Sequence, residues 1–129
     1  MFIFYKDSDV RAPTIFLLHG GGFVAGDKAG SEEFAIYLTE ATGYTVISAN
    51  YEKAPSAKYP SQIIQTEQLY EFFSQNSSKY PMLDMSKIMF GGDSAGAQIA
   101  AQFVLTHTNT DCAKEVGVNQ VSDEGHIKG

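Results

Sequence analysis

The chain has 129 residues, 43% of them hydrophobic and 19% charged, which is a one-domain length with enough apolar material for a packed core and excludes an intrinsically disordered chain. Its formal charge of −6 argues against nucleic acid and anionic membrane surfaces, which recruit basic patches. The single cysteine, Cys112, precludes an internal disulfide and suits a reducing compartment; with no apolar run near the ~18 residues of a bilayer span, and no signal-peptide h-region or small-residue cleavage site in Met1 to Val10, the expected location is cytoplasmic.

Strand and helix patterns alternate, which predicts an α/β fold with a mostly parallel sheet and helices on both faces. Phe2 to Tyr5 is a short strand. Thr14 to Leu18 is a continuous apolar run, as expected of a strand buried on both sides. A glycine-rich loop from Gly20 to Gly30 follows. Ser31 is placed to cap a helix running to Thr42, with Glu32 and Glu33 in its first turn, Phe34, Leu38 and Ala41 as its inward stripe, and Gly43 as its stop. Tyr44 to Ala49 is the next buried strand. Two prolines punctuate the loop from Ala54 to Pro60, and a helix from Ser61 to Gln75 places Ile64, Tyr70 and Phe73 on one side. Ile88 to Phe90 is a third central strand, and Ala95 to Thr106 a helix rich in alanine. Residues 108–129 read as an irregular tail, because polarity rises and periodicity is lost.

Chemistry concentrates at Ile88-Met89-Phe90-Gly91-Gly92-Asp93-Ser94-Ala95-Gly96-Ala97. Gly92-x-Ser94-x-Gly96 lies between a strand and a helix. A sharp turn there forces the serine into a strained backbone and lifts its hydroxyl above the sheet. Glycines two residues to either side remove Cβ atoms that would collide in the turn, and the helix N-terminus favours an incoming oxyanion. Asp93 reads as a residue tuning this elbow, since an adjacent side chain cannot form a serine–histidine–acid relay. A second segment, His19-Gly20-Gly21-Gly22-Phe23, directly follows the strand ending at Leu18. A loop of this kind aims bare backbone N–H groups at a tetrahedral oxyanion, each worth ~3 kcal/mol.

These segments, with Tyr51-Glu52-Lys53-Ala54-Pro55 through Tyr59-Pro60, resemble the hormone-sensitive lipase-like family of α/β-hydrolases in order and spacing, over roughly Pro13 to Thr106. The resemblance implies a serine hydrolase of carboxylic esters, without metal or organic cofactor, acting on a small-molecule ester. It assigns Ser94 as the nucleophile and the backbone amides of Gly21, Gly22 and Ala95 as the oxyanion hole. His19, Gly20, Gly92, Asp93 and Gly96 are then motif support. It also implies the sheet order 2-4-3-5 in the family's strand numbering, with the Ile88 to Phe90 strand at an edge, open to self-association or a complementing chain.

Two departures stand out. Asn50, Glu52, Lys53 and Ser56 occupy positions where the family usually carries Asp, Arg, Leu and Glu, so the salt bridges that organise this loop are expected to be absent. The chain also stops 35 residues after Ser94, before the acid and histidine expected of a triad. The whole reads as a single incomplete domain, 1–129, either part of an active carboxylesterase or an inactive remnant serving as an interaction module. Local histidines do not fill the gap. His19 belongs to the loop motif. His107 lies 13 residues down the same helix as Ser94, some ~20 Å away. His126, beside Asp123 and Glu124, reads as a solvated tail residue, because a triad histidine must be held rigidly.

Other motifs fail on context. Gly20-x-Gly22-x-x-Ala25 matches a dinucleotide fingerprint, but its helix starts too late, at Ser31, and the next strand ends at Asn50 rather than an acid. Gly21 to Gly26 has P-loop glycine spacing without the Gly-Lys-Ser/Thr end. The histidines and Cys112 lack metal-ligand spacing. Tyr5, Tyr37, Tyr51, Tyr59, Tyr70 and Tyr80 read as core or rim packing.

Overall fold

A computed structural model describes residues 1–118, 120 and 127. Four strands form one sheet: β1 (Phe2–Phe4), β2 (Ala12–Leu18), β3 (Thr45–Ala49) and β4 (Leu83–Gly92). Their spatial order is β1-β3-β2-β4, which is the order the resemblance implied. β1 runs antiparallel to β3, while β3 and β4 both pair parallel to β2. Parallel neighbours need crossovers, and the chain supplies them as helices. These are α1 (Glu32–Thr42), between β2 and β3, and α2 (Ser61–Gln75), between β3 and β4, while α3 (Ala95–Thr108) and α4 (Thr110–Val116) follow β4.

The alternation of side chains along β2 sorts two cores. Phe16 and Leu18 face one side, where they meet Ile63, Tyr70 and Phe73 of α2 and Ile99 and Phe103 of α3. Ile15 and Leu17 face the other side, against Ala35 of α1 and Val46. The first core is largely aromatic. Phe16 stacks on Phe90 at 5.0 Å, and Phe90 meets Phe103 at 4.4 Å. Such pairs add about 0.5–1.5 kcal/mol each beyond the area they bury.

Several sequence expectations are corrected. The inward face of α1 is Ala35 and Thr39, not Phe34 and Ala41, which are exposed. Leu38 is half-buried. Small residues let the helix axis approach the sheet, and the larger apolar side chains are left outside. In α2 the buried residue is Ile63 rather than Ile64; Tyr70 and Phe73 are buried as expected. Ser31 makes no side-chain cap. A 3-10 turn at Lys28–Ser31 precedes α1, and the Asp27 carboxylate caps that turn by accepting the Ala29 amide at 2.9 Å. Gly43 does end α1, in the left-handed region at φ 72. β4 is ten residues long, because Leu83 and Asp84 pair with Ala12 and Pro13 before the register shifts to bring Ile88 opposite Thr14. Residues 110–116, expected to be irregular, form α4. Asn109 caps it by accepting the Asp111 and Cys112 amides, and one short helix with a single buried residue, Ala113, shows no periodicity to read.

At the outer side of β4, Ile88 makes an isolated parallel bridge with Ile127, which packs against the aromatic core. Among the described residues no helix is long and apolar enough to cross a membrane.

Candidate active site

The site lies where β2 and β4, adjacent and parallel, both end. β2 runs out at Leu18 opposite Gly92 of β4, so the loop after one strand and the turn after the other leave the sheet side by side. Ser94 sits between β4 and α3 with φ 51 and ψ −116, and is exposed. This backbone costs a non-glycine residue about 1–3 kcal/mol and persists only where its surroundings impose it.

The surroundings are visible at the flanking glycines. A Cβ on Gly96 would run into the Leu18 carbonyl oxygen and come within 2.7 Å of the His19 carbonyl oxygen. One on Gly92 would also meet the Leu18 carbonyl oxygen, and would lie 2.6 Å from the Gly96 carbonyl carbon. The first turn of α3 therefore rests directly on the backbone end of β2. That contact fixes the elbow relative to the loop that begins at His19.

The loop is held from three sides. The Gly20 amide donates to Asp93 Oδ1 at 3.0 Å. Asp93 thus ties the loop to the turn that carries Ser94. The Tyr51 hydroxyl donates to the His19 carbonyl at 2.7 Å, and its ring stacks on the imidazole at 4.3 Å. Burial, and then the Asp93 charge, push the Tyr51 hydroxyl above its ordinary pKa, so it stays a donor. Lys53 Nζ donates to the Gly26 carbonyl at 2.7 Å. Within the loop the Ala25 amide closes a turn on the Gly21 carbonyl at 2.9 Å. Gly22, at φ 63, is exposed, and the position its Cβ would take is open. Among the described residues the amides of Gly21, Gly22 and Ala95 have no hydrogen-bond acceptor.

His19 is 3% exposed, and its Nδ1 lies 2.7 Å from the Gly20 carbonyl. A carbonyl only accepts, so Nδ1 carries the hydrogen. The ring is a packing element in this arrangement. His107 is at the far end of α3, buried, stacked on Phe103 at 4.0 Å with Nδ1 2.9 Å from the Phe103 carbonyl. Its Nε2 lies 4.0 Å from Glu67. Burial and the neighbouring Glu71 charge raise the Glu67 carboxyl above its ordinary pKa. This pair belongs to the helix interface, away from Ser94. His126, with Asp123 and Glu124, lies outside the described residues.

Among the described residues the 50–65 segment makes no ion pair. Hydrogen bonds of side-chain amides hold it. Gln65 accepts the Glu52 amide at 2.7 Å, Gln62 donates to the Glu52 carbonyl at 3.0 Å, and Asn50 bridges Asp27 and the Lys28 amide. Sequence reasoning missed Tyr51, Gln62 and Gln65 as braces of the site, and treated Tyr51 as packing alone. Its partner is a backbone carbonyl 32 residues away, for which no local signal exists. The dinucleotide reading fails on the geometry too, since only Lys28–Ser31 and then α1 turn helical after the loop. No cluster of His, Cys, Asp or Glu side chains suited to a metal ion occurs among the described residues.

The chain is 38% identical over 101 residues to an acetyl esterase of Salmonella paratyphi B, an alignment covering 78% of this chain and 31% of that protein. The chain thus spans about a third of the length of the curated relatives it matches. Esterase B of Lactobacillus rhamnosis shares the fold, with a TM-score of 0.81 at 24% identity, over 93% of this chain and 39% of that one. An esterase of Pyrobaculum calidifontis superposes with a TM-score of 0.74 at 27% identity, over 91% and 36%. The sequence profile of the alpha/beta hydrolase fold matches residues 15–120, and the chain belongs to that family.

Proposed function

We propose that this chain carries the nucleophile and the oxyanion donors of a serine carboxylesterase. The observation that carries the reading is the strained Ser94 at the N-terminus of α3, beside a loop in which the Gly21 and Gly22 amides have no acceptor among the described residues. The esterase names of the relatives support the same chemistry. In this mechanism Ser94 Oγ attacks the ester carbonyl carbon, and the Gly21, Gly22 and Ala95 amides take the developing oxyanion. Collapse of the tetrahedral species expels the alcohol and leaves an acyl-serine, which water then cleaves. A small ester is the substrate, and the single cysteine favours a cytoplasmic setting.

The general base and its acid are proposed to come from polypeptide outside the described residues. A second reading, an inactive hydrolase module, is favoured by one observation. Among the described residues the histidines are His19, stacked on Tyr51, and His107, beside Glu67 at the end of α3 far from Ser94. Hydrolysis of a short-chain aryl ester, compared with Ser94→Ala, separates the two. Serine-dependent turnover at ordinary enzymatic rates supports the esterase. Equal rates for the two proteins would leave the inactive module, and weak residual turnover alone would not establish a base, because the oxyanion hole contributes without one.

A further inference from the structure

The segment 51–54, just past the end of β3, reaches the glycine loop at three separate points. The Tyr51 hydroxyl donates to the His19 carbonyl at 2.7 Å, the Ala54 amide to the Phe23 carbonyl at 2.8 Å, and Lys53 Nζ to the Gly26 carbonyl at 2.7 Å. The loop also folds back on itself at Gly26. A Cβ there would run into the Gly20 carbonyl oxygen and lie 2.7 Å from His19 Nδ1. One on Gly21 would run into the Ala25 carbonyl oxygen and lie 2.9 Å from the Gly26 nitrogen. Residues 25 and 26 therefore rest on residues 19 to 21, and whatever fixes the Gly26 carbonyl also restrains the stretch that carries the Gly21 amide. The next two residues are held by Asn50, which accepts the Lys28 amide at 2.7 Å and donates to Asp27 Oδ2 at 3.0 Å. Asn50 and Lys53 are two of the positions where this segment departs from the family's usual residues. An aspartate at 50 would have no hydrogen for the Asp27 carboxylate, and a leucine at 53 none for Gly26. Lys53 is half-buried, and among the described residues it makes no ion pair, so its ammonium is committed to the Gly26 carbonyl.

We propose that Lys53 is a positioning residue of this chain: its ammonium holds Gly26 down on Gly20, and so sets where the Gly21 and Gly22 amides stand relative to Ser94; this rests on the esterase reading above. Two arguments support the role. Consecutive glycines lose more backbone freedom on ordering than other residues do, so Gly20 to Gly22 need restraint from outside the loop. The other outside anchors meet the loop at His19, Gly20 and Phe23, which leaves Gly26 as the end that Lys53 alone reaches from the 51–54 segment. A hydrogen bond from a charged donor is roughly twice as strong as a neutral one, and solvent screening at this half-buried position reduces that gain without removing it.

Two measurements on Lys53→Met, Lys53→Arg and the exposed control Lys58→Met test this, the first without any chemistry at Ser94. Amide hydrogen exchange is read at Ala25, which bonds the Gly21 carbonyl, and at Gly20, which bonds Asp93. Lys53→Met should speed both by roughly 5- to 10-fold while the buried Val46 amide and the urea midpoint stay at wild-type values. Lys53→Arg, which keeps a cationic donor, should restore most of the protection, and Lys58→Met should change nothing. Unchanged exchange at Ala25 and Gly20 in Lys53→Met would overturn the proposal. So would faster exchange at Val46 with a lowered midpoint, which is general destabilisation, or an arginine variant as loose as the methionine one. The second measurement is single-turnover phosphorylation by diethyl 4-nitrophenyl phosphate. Ser94 Oγ bonds to phosphorus, 4-nitrophenolate leaves with the electron pair of its P–O bond, and the serine proton passes to buffer. Negative charge grows on the phosphoryl oxygen, which the loop amides are placed to take. Lys53→Met should release 4-nitrophenolate roughly 10-fold more slowly than wild type, and Lys53→Arg within about twofold of it. Equal rates for wild type and Lys53→Met would overturn the positioning role even if exchange had loosened. A wild type that reacts no faster than Ser94→Ala would instead sink the nucleophile reading, and the exchange result then decides by itself whether Lys53 holds the loop.

Discussion

Replacing Gly96 with alanine adds one methyl group where there is no room. The new Cβ would overlap the Leu18 carbonyl oxygen and lie 2.6 Å from its carbon and 2.7 Å from the His19 carbonyl oxygen. All three are backbone atoms at the end of a central strand, so no side chain can rotate away. Relief requires α3 to lift from β2. Over-packing costs about 1–3 kcal/mol in ordinary cores, and a backbone-only collision belongs at the upper end. With a urea slope of about 2 kcal/mol per molar, a loss of ~3 kcal/mol lowers the unfolding midpoint by about 1.5 M. Gly30→Ala is the control, because its Cβ would meet nothing within 4 Å and its φ is not left-handed; it should fall within about 0.5 kcal/mol of wild type. Lifting α3 also displaces the Ala95 amide and Ser94, and ~1 Å of misplacement costs on the order of 100-fold in serine-dependent chemistry. Urea titration of the three proteins settles the matter. A Gly96→Ala midpoint equal to wild type would refute the claim that this contact fixes the elbow.

Asp93→Ala should loosen the loop through loss of the Gly20 bond, seen as faster hydrogen exchange at the Gly20 amide, whereas Asp93→Asn keeps an acceptor and most of the protection. Unchanged exchange in the alanine variant would show that Asp93 is no clamp. Glu67 has a raised pKa from burial and then from Glu71, with His107 Nε2 4.0 Å away. The native state then holds this proton to higher pH than the unfolded chain does, so its contribution is present below the ordinary value of 4.5 and is lost as pH rises through the raised value. Glu67→Gln should therefore melt higher than wild type at neutral pH and lose that advantage below about pH 4.5; a pH-independent difference would contradict this. We also propose that the outer edge of β4, beyond its bridge from Ile88 to Ile127, pairs with a second copy or another chain. Sedimentation velocity should show mass rising with concentration, and a monodisperse monomer throughout would count against it.

Much of the site was legible because its chemistry is local in sequence. The elbow needs glycines at fixed offsets around Ser94, and the loop needs consecutive glycines after a buried strand, so Gly20 to Gly22 and Gly92 to Gly96 announced themselves. The buried strands were legible for a similar reason: a run such as Thr14 to Leu18 must be apolar on both faces. What the sequence left undecided depends on approach between distant segments. The face α1 buries was set by how closely the backbone could approach the sheet, which favoured Ala35 over Phe34. The length of β4 came from pairing with Ala12 and Pro13, and α4 from an asparagine cap and a docked Ala113. Above all, the braces of the loop, Tyr51 on His19 and Asp93 on Gly20, are bonds across 32 and 73 residues. Local pattern determined which residues are proposed to carry the chemistry; tertiary packing decided what holds them in place, because those restraints exist only once β2, β3 and β4 lie side by side.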